Sequence, residues 1–163
     1  MTVKELLDLV TASSRAVVLP PAGRPVVRAG RQLPQDLAEF YELCGGIEFL
    51  DTPQHYGVII SPPAQLLPTN PILIGEQVDD DITSSWYVIG RTFNSELISI
   101  DLHPARLGRC YDSFHEVHGI PGSCEIIAAS FSAMLMEFLN DPGDGWYWTL
   151  PGWPRLGDAY EVL

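Results

Sequence analysis

The six residues Glu96–Asp101 read as an alternating strand, with Ile98 and Ile100 turned one way and Ser99 and Asp101 the other. A side-chain period of two is the signature of a half-buried antiparallel strand, one face on a core and one in water. Trp86–Ile89 supplies a neighbouring strand, and Gly90–Ser95 is the loop between the two. A third strand fits Arg109–Phe114, after the breaks at Pro104 and Gly108. Helical patterns flank this block on both sides. Val3, Leu6, Leu7 and Val10 fall at i, i+3, i+4 and i+7, with Thr2 as N-cap. Pro34 opens a second helix with Leu37, Phe40, Tyr41 and Cys44 as its apolar stripe, and Gly45-Gly46 is expected to close it through a left-handed cap. Ile126-Ile127 leads into a last helix, capped by Ser130, with Phe131, Met134, Leu135 and Phe138 inward and a stop at Asn140-Asp141-Pro142-Gly143. Helix, helix, consecutive strands, helix is an α+β order, a mainly antiparallel or mixed sheet flanked by helices, and not a βαβ alternation.

The remaining segments are less regular. Residues 15–32 are rich in Pro, Gly and Arg and read as an irregular connection or a small hairpin. Ile47–Leu50 and Tyr56–Ile60 form a strand pair around Asp51-Thr52-Pro53. Residues 61–85 are a long Pro-bearing connection that ends in the acidic run Asp79-Asp80-Asp81. The last twenty residues hold Trp146, Trp148 and Trp153, expected to pack back on the body because a terminal segment needs large apolar anchors to stay ordered. The 163 residues make one domain, with a core expected to contain Phe40, Ile98, Ile100, Phe131, Leu135 and Phe138.

Charge excludes more than it names. Nine basic residues face twenty-one acidic ones, a net of −12, which argues against nucleic acid as a partner. Residues 1–31 carry five basic and two acidic side chains, so the rest, with four basic and nineteen acidic, stands at −15. Met1–Val10 lacks the order of a secretory signal, and no apolar run approaches a membrane span. Cys44, Cys110 and Cys124 are widely spaced and lack a Cys-x-x-Cys, as expected of reduced buried thiols in a cytoplasmic protein.

The search for chemistry finds little. There is no Gly-x-Ser-x-Gly elbow, no phosphate-binding Gly-rich loop and no dinucleotide fingerprint. His115-Glu116-Val117-His118 resembles a zinc-protease motif but misses its spacing, since two ligands on one helical face need His at i and i+4. The run Asp79–Asp81 is open to three readings: a divalent-cation site, partner-facing charge, or a solvated loop. No metal, cofactor or catalytic residue is expected. The Trp cluster could stack on a sugar or a base, but burial against the sheet is the better reading.

Several segments together resemble a family. Leu33-Pro34-Gln35-Asp36-Leu37-Ala38-Glu39-Phe40-Tyr41 followed by Cys44-Gly45-Gly46-Ile47 is similar to the opening of the SUKH superfamily, which includes the yeast cell-wall synthesis regulator and many bacterial immunity proteins. Val88-Ile89-Gly90-Arg91 with Leu97–Leu102 resembles its central hairpin, and Ala128–Leu135 its closing helix. The resemblance spans residues 33–140 in order, and residues 61–85 and 143–163 depart from it. It implies a binding module without catalytic residues, in bacteria an immunity protein that neutralises a cognate toxin, often a nuclease. The alternatives are a regulatory or scaffolding module like the eukaryotic member, and an enzyme using His115, His118 or the acidic run. A basic toxin cleft would be steered toward an acidic body. The expected contact residues are therefore Glu48, Asp51, Glu76, Asp79, Asp80 and Asp81.

Overall fold

A computed structural model describes residues 1–54, 56–141 and 143–161. Seven strands pair in sequence order into one antiparallel sheet: β1 (Ala16–Val18), β2 (Ile47–Phe49), β3 (Val58–Ile60), β4 (Trp86–Thr92), β5 (Leu97–Asp101), β6 (Cys110–Ser113) and β7 (Ile126–Ala128). Every adjacent pair is antiparallel, so short loops suffice to join them and no crossover is needed. Three helices lie on one face: α1 (Val3–Ala12), α2 (Gln35–Leu43) and, in chain order after the short α3 (Thr69–Leu73), α4 (Phe131–Asn140).

Local chemistry explains the helix ends. Thr2 and Glu5 form a reciprocal capping box at the start of α1, each side chain taking the other's backbone N–H. Ser130 accepts the Ala133 N–H at the start of α4. Asp36 ties α2 to α4 by accepting both the backbone N–H and the hydroxyl of Ser132, 96 residues away. The expected core residues are all buried, with Phe40 and Phe131 in edge-on contact at 4.8 Å between ring centres.

Four expectations need correcting. Pro34 is the residue before the first turn of α2, not inside it. Cys44, extended, ends that helix, so no left-handed Gly45 cap forms. Gly45 is required for another reason: a Cβ there would meet the Pro20 carbonyl oxygen at 2.2 Å, because the Leu19 N–H donates to the Gly46 carbonyl and the Gly45 N–H to the Leu19 carbonyl, drawing the two segments together. The connection 61–85 is not structureless, since it holds α3 and 3-10 turns at Pro63–Gln65 and Ile82–Ser85. And β5 is buried on both faces, not half-buried. Ser99 joins a hydroxyl chain with Thr69 and Ser113 at 2.8 and 2.6 Å. Asp101 accepts from Ser85 Oγ, the His103 N–H, Arg106 Nε and Tyr111 Oη. The polar half of the alternation marks an internal network rather than a wet face.

That second face is covered unevenly. Over β4 to β7 lies a smaller core of Trp86, Tyr111, Cys124, Ile126 and Ala159, in which Trp86 and Tyr111 stack at 4.0 Å. The Trp-rich segment packs on the helical side: Tyr147 donates to the Ile127 carbonyl, and Trp148 Nε1 to Asp112. Part of the Asn140–Gly143 stop, Pro142, lies outside the described residues.

Candidate partner-binding surface

The six acidic residues divide into two groups. Glu76, Asp79, Asp80 and Asp81 follow α3 on the connection that covers β4 to β7. Glu76 and Asp80 are exposed. Asp79, with an 80% exposed side chain, stands 3.8 Å from the Arg28 guanidinium, a loose pair on the basic N-terminal segment. Asp81 differs from its neighbours. It caps the turn at Ile82–Ser85 by accepting the Thr83 N–H and hydroxyl, and it takes the Tyr160 hydroxyl at 2.9 Å. Burial alone would raise its carboxyl pKa, but those hydrogen bonds and the nearby His118 hold it below the ordinary value. Burial and the Asp81 charge push the Tyr160 phenol up, so it remains a donor.

Asn70, Asp80, Asp81, Thr83 and His118 line an open hollow beside this loop. His118 Nε2 lies 2.7 Å from Asn70 Oδ1, while the Asn70 amide nitrogen donates to Thr83 Oγ1. That assignment leaves Asn70 Oδ1 an acceptor, so the imidazole proton sits on Nε2. Nδ1 is buried with no hydrogen-bond partner among the described residues. Burial lowers the His118 pKa, opposed by Asp81. His115, three residues earlier, is exposed and points to Glu96 at 2.7 Å. The two histidines therefore serve different neighbours, and no group of three potential metal ligands gathers among the described residues.

Glu48 and Asp51 form the second group, on β2 and in the turn after it. Asp51 accepts the Gly57 N–H and fixes that turn. Glu48, half-buried on the outer face of β2, has no hydrogen bond or ion pair among the described residues. No described contact joins this group to residues 76–81. Tyr160, which sequence reasoning left without a role, clamps Asp81 from 79 positions away, a separation that carries no local signal.

The architecture is that of a single α+β domain, an antiparallel sheet with three helices on one face and the acidic 76–81 loop over the other. The chain belongs to the SMI1/KNR4 family (SUKH-1), whose family model matches residues 28–137. It is 37% identical over 163 residues to the immunity protein YokJ of Bacillus subtilis (strain 168), covering 100% of this chain and 98% of that relative. No solved structure matches it. Among the described residues no helix is long and apolar enough to cross a membrane.

Proposed function

We propose that this chain is a non-enzymatic, cytoplasmic immunity protein that neutralises a cognate bacterial toxin by binding it. The similarity to the immunity protein YokJ along essentially the whole of both chains carries the reading. The charge supports it: a net of −12 steers a basic partner, such as a nuclease domain, at rates above the neutral case. Glu76, Asp79 and Asp80 present that charge directly, and Asp81 shapes the loop that carries them. Glu48 and Asp51 contribute to that long-range field through their charge alone.

The test is co-expression of the chain with candidate toxin domains encoded beside it, followed by affinity capture. Expected are protection of the host and recovery of a basic toxin domain in a stable complex. The triple variant Glu76→Gln/Asp79→Asn/Asp80→Asn should then associate more slowly and with a weaker salt dependence, its dissociation rate nearly unchanged. Failure to protect against or bind any toxin encoded beside the chain would overturn the immunity reading. Unchanged association kinetics would overturn the assignment of residues 76–80.

A further inference from the structure

We infer that the open half of the sheet is a self-complementary surface on which two copies of this chain pair about a two-fold axis. The smaller core closes the outer face over β5 to β7 and the Trp86 end of β4, leaving β1 to β3 and the Arg91 end of β4 open. Over β1 to β3, Val17 remains 46% exposed, and Glu48 and Ile59 are half-buried. Strand register aligns one row across this face: Val17 opposite Glu48, Glu48 opposite Ile59, Ile59 opposite Arg91, and Arg91 opposite Leu97. All five lie on the outer side by alternation, because the flanking Ile47, Val58, Ile60 and Ile98 enter the main core, but Leu97 is only 2% exposed, so the open row runs from Val17 to Arg91. Glu48 and Arg91 are two strands apart, about 10 Å at ~4.8 Å per strand, and neither side chain has a hydrogen bond or ion pair among the described residues. A half-buried carboxylate and a half-buried guanidinium in an apolar row without internal partners are groups left for an external one.

A second copy supplies the complement. Two sheets packed face to face lie ~10 Å apart with strands roughly aligned. A two-fold axis along the strand direction at Ile59 sets Ile59 against its own image, Glu48 against the partner's Arg91, and Arg91 against the partner's Glu48. One step further along the strands, Leu50 after β2 and Phe93 after β4 are 40% and 42% exposed. They flank Gly57, whose carbonyl accepts the Phe93 N–H, so the axis sets each Leu50 against the other copy's Phe93. Charge meets countercharge at Glu48 and Arg91, and apolar meets apolar at Ile59 and between Leu50 and Phe93. An axis across the strands would set Glu48 against Glu48, which repulsion forbids. The patch is four strands wide and short, so the contact belongs at the small end of specific interfaces and the dimer should be concentration-dependent. The overall net charge of −12 on each copy also opposes pairing at low salt, so the measurement belongs at physiological ionic strength.

Sedimentation velocity over a concentration series tests the inference. The wild-type chain should pass from monomer to dimer as concentration rises to roughly 0.2 mM, a range that covers weak specific interfaces. Each symmetric substitution alters two contacts, so Glu48→Arg alone or Arg91→Glu alone should weaken the dimer by about a hundredfold. The exchanged double variant Glu48→Arg/Arg91→Glu should recover it. Should a reversal fail to fold, judged by circular dichroism, Val17→Asp at the exposed edge position should also weaken pairing without loss of fold. A wild-type monomer at every concentration overturns the inference, as does a dimer indifferent to all these changes. A monomer whose toxin binding depends on Glu48 and Arg91 overturns it too, and assigns the face to the toxin instead. None of these outcomes bears on whether the chain is an immunity protein, which the protection assay decides separately.

Discussion

Asp101→Asn isolates the ion pair that sequence pattern alone would have left in water. The Asp101 carboxylate is fully buried and the Arg106 side chain is 12% exposed, with Nε 2.8 Å from Oδ2. Oδ1 accepts from Ser85 Oγ at 2.6 Å and the His103 N–H at 2.8 Å, and Oδ2 also takes Tyr111 Oη at 3.2 Å. An asparagine can keep the first two donors on its carbonyl. Its NH2 then faces Arg106 Nε–H and the Tyr111 hydroxyl, replacing an acceptor by a donor and leaving the guanidinium without its countercharge. Removing one partner of a buried pair costs about 3–5 kcal/mol. For a chain of 163 residues that is a fall in Tm of about 6–20 °C, at roughly 2–4 °C per kcal/mol. Urea unfolding followed by circular dichroism should show the midpoint lowered with the slope unchanged. Arg106→Met should be destabilising as well, and the double variant should lose less than the two singles together. A loss under about 1 kcal/mol for Asp101→Asn, or strict additivity in the cycle, would show that the network is not a coupled strut.

Other expectations concern single sites. Phe131→Ala, at a fully enclosed ring against Phe40, should cost about 3–5 kcal/mol in the same unfolding assay, and a cost near zero would contradict the packing of α4. Asp81→Ala should cost about 1–2 kcal/mol through the lost cap, while Asp79→Ala beside it should change stability hardly at all. His118 has a folded-state pKa below its ordinary 6.5, so the unfolded chain binds the proton more readily. Stability should thus be fully present above about pH 6.5 and fall as the pH drops below it. His118→Gln should flatten that slope between pH 7 and 5, and an unchanged slope would assign the pH dependence to other groups.

Helix phases were legible because they depend on near neighbours. Spacings of three and four residues put Val3, Leu6, Leu7 and Val10 inward, and the same rule placed Phe131, Leu135 and Phe138. Strand existence was legible for the same reason. What the pattern could not give was how many layers cover a strand. Alternation in β5 separates two faces, but Ser99 and Asp101 are buried because α3, Ser85, Tyr111 and Ser113 meet them from sequence-distant elements. The ending of α2 failed similarly: two glycines after a helix suggest a cap, yet Gly45 answers to the backbone of Pro20 across a tertiary contact.

The acidic surface was legible as composition and not as geometry. Consecutive aspartates look alike in sequence, but Asp79 is solvated beside Arg28 whereas Asp81 holds Thr83 and Tyr160 and is part of the scaffold. The row from Val17 to Arg91 joins four strands, and each residue reads as unremarkable within its own. It exists as a surface because consecutive strands pair in order and because the covering layer stops short. Tyr160 clamps Asp81, the Ala159 N–H donates to the Cys124 carbonyl, and Trp86 stacks on Tyr111, all over the β4 to β7 side. The connection 61–85 and the C-terminal residues thus decide which half of the sheet is sealed. The half they leave open carries a carboxylate and a guanidinium with no described partner, a cost that an isolated sheet face bears only until a partner lies on it.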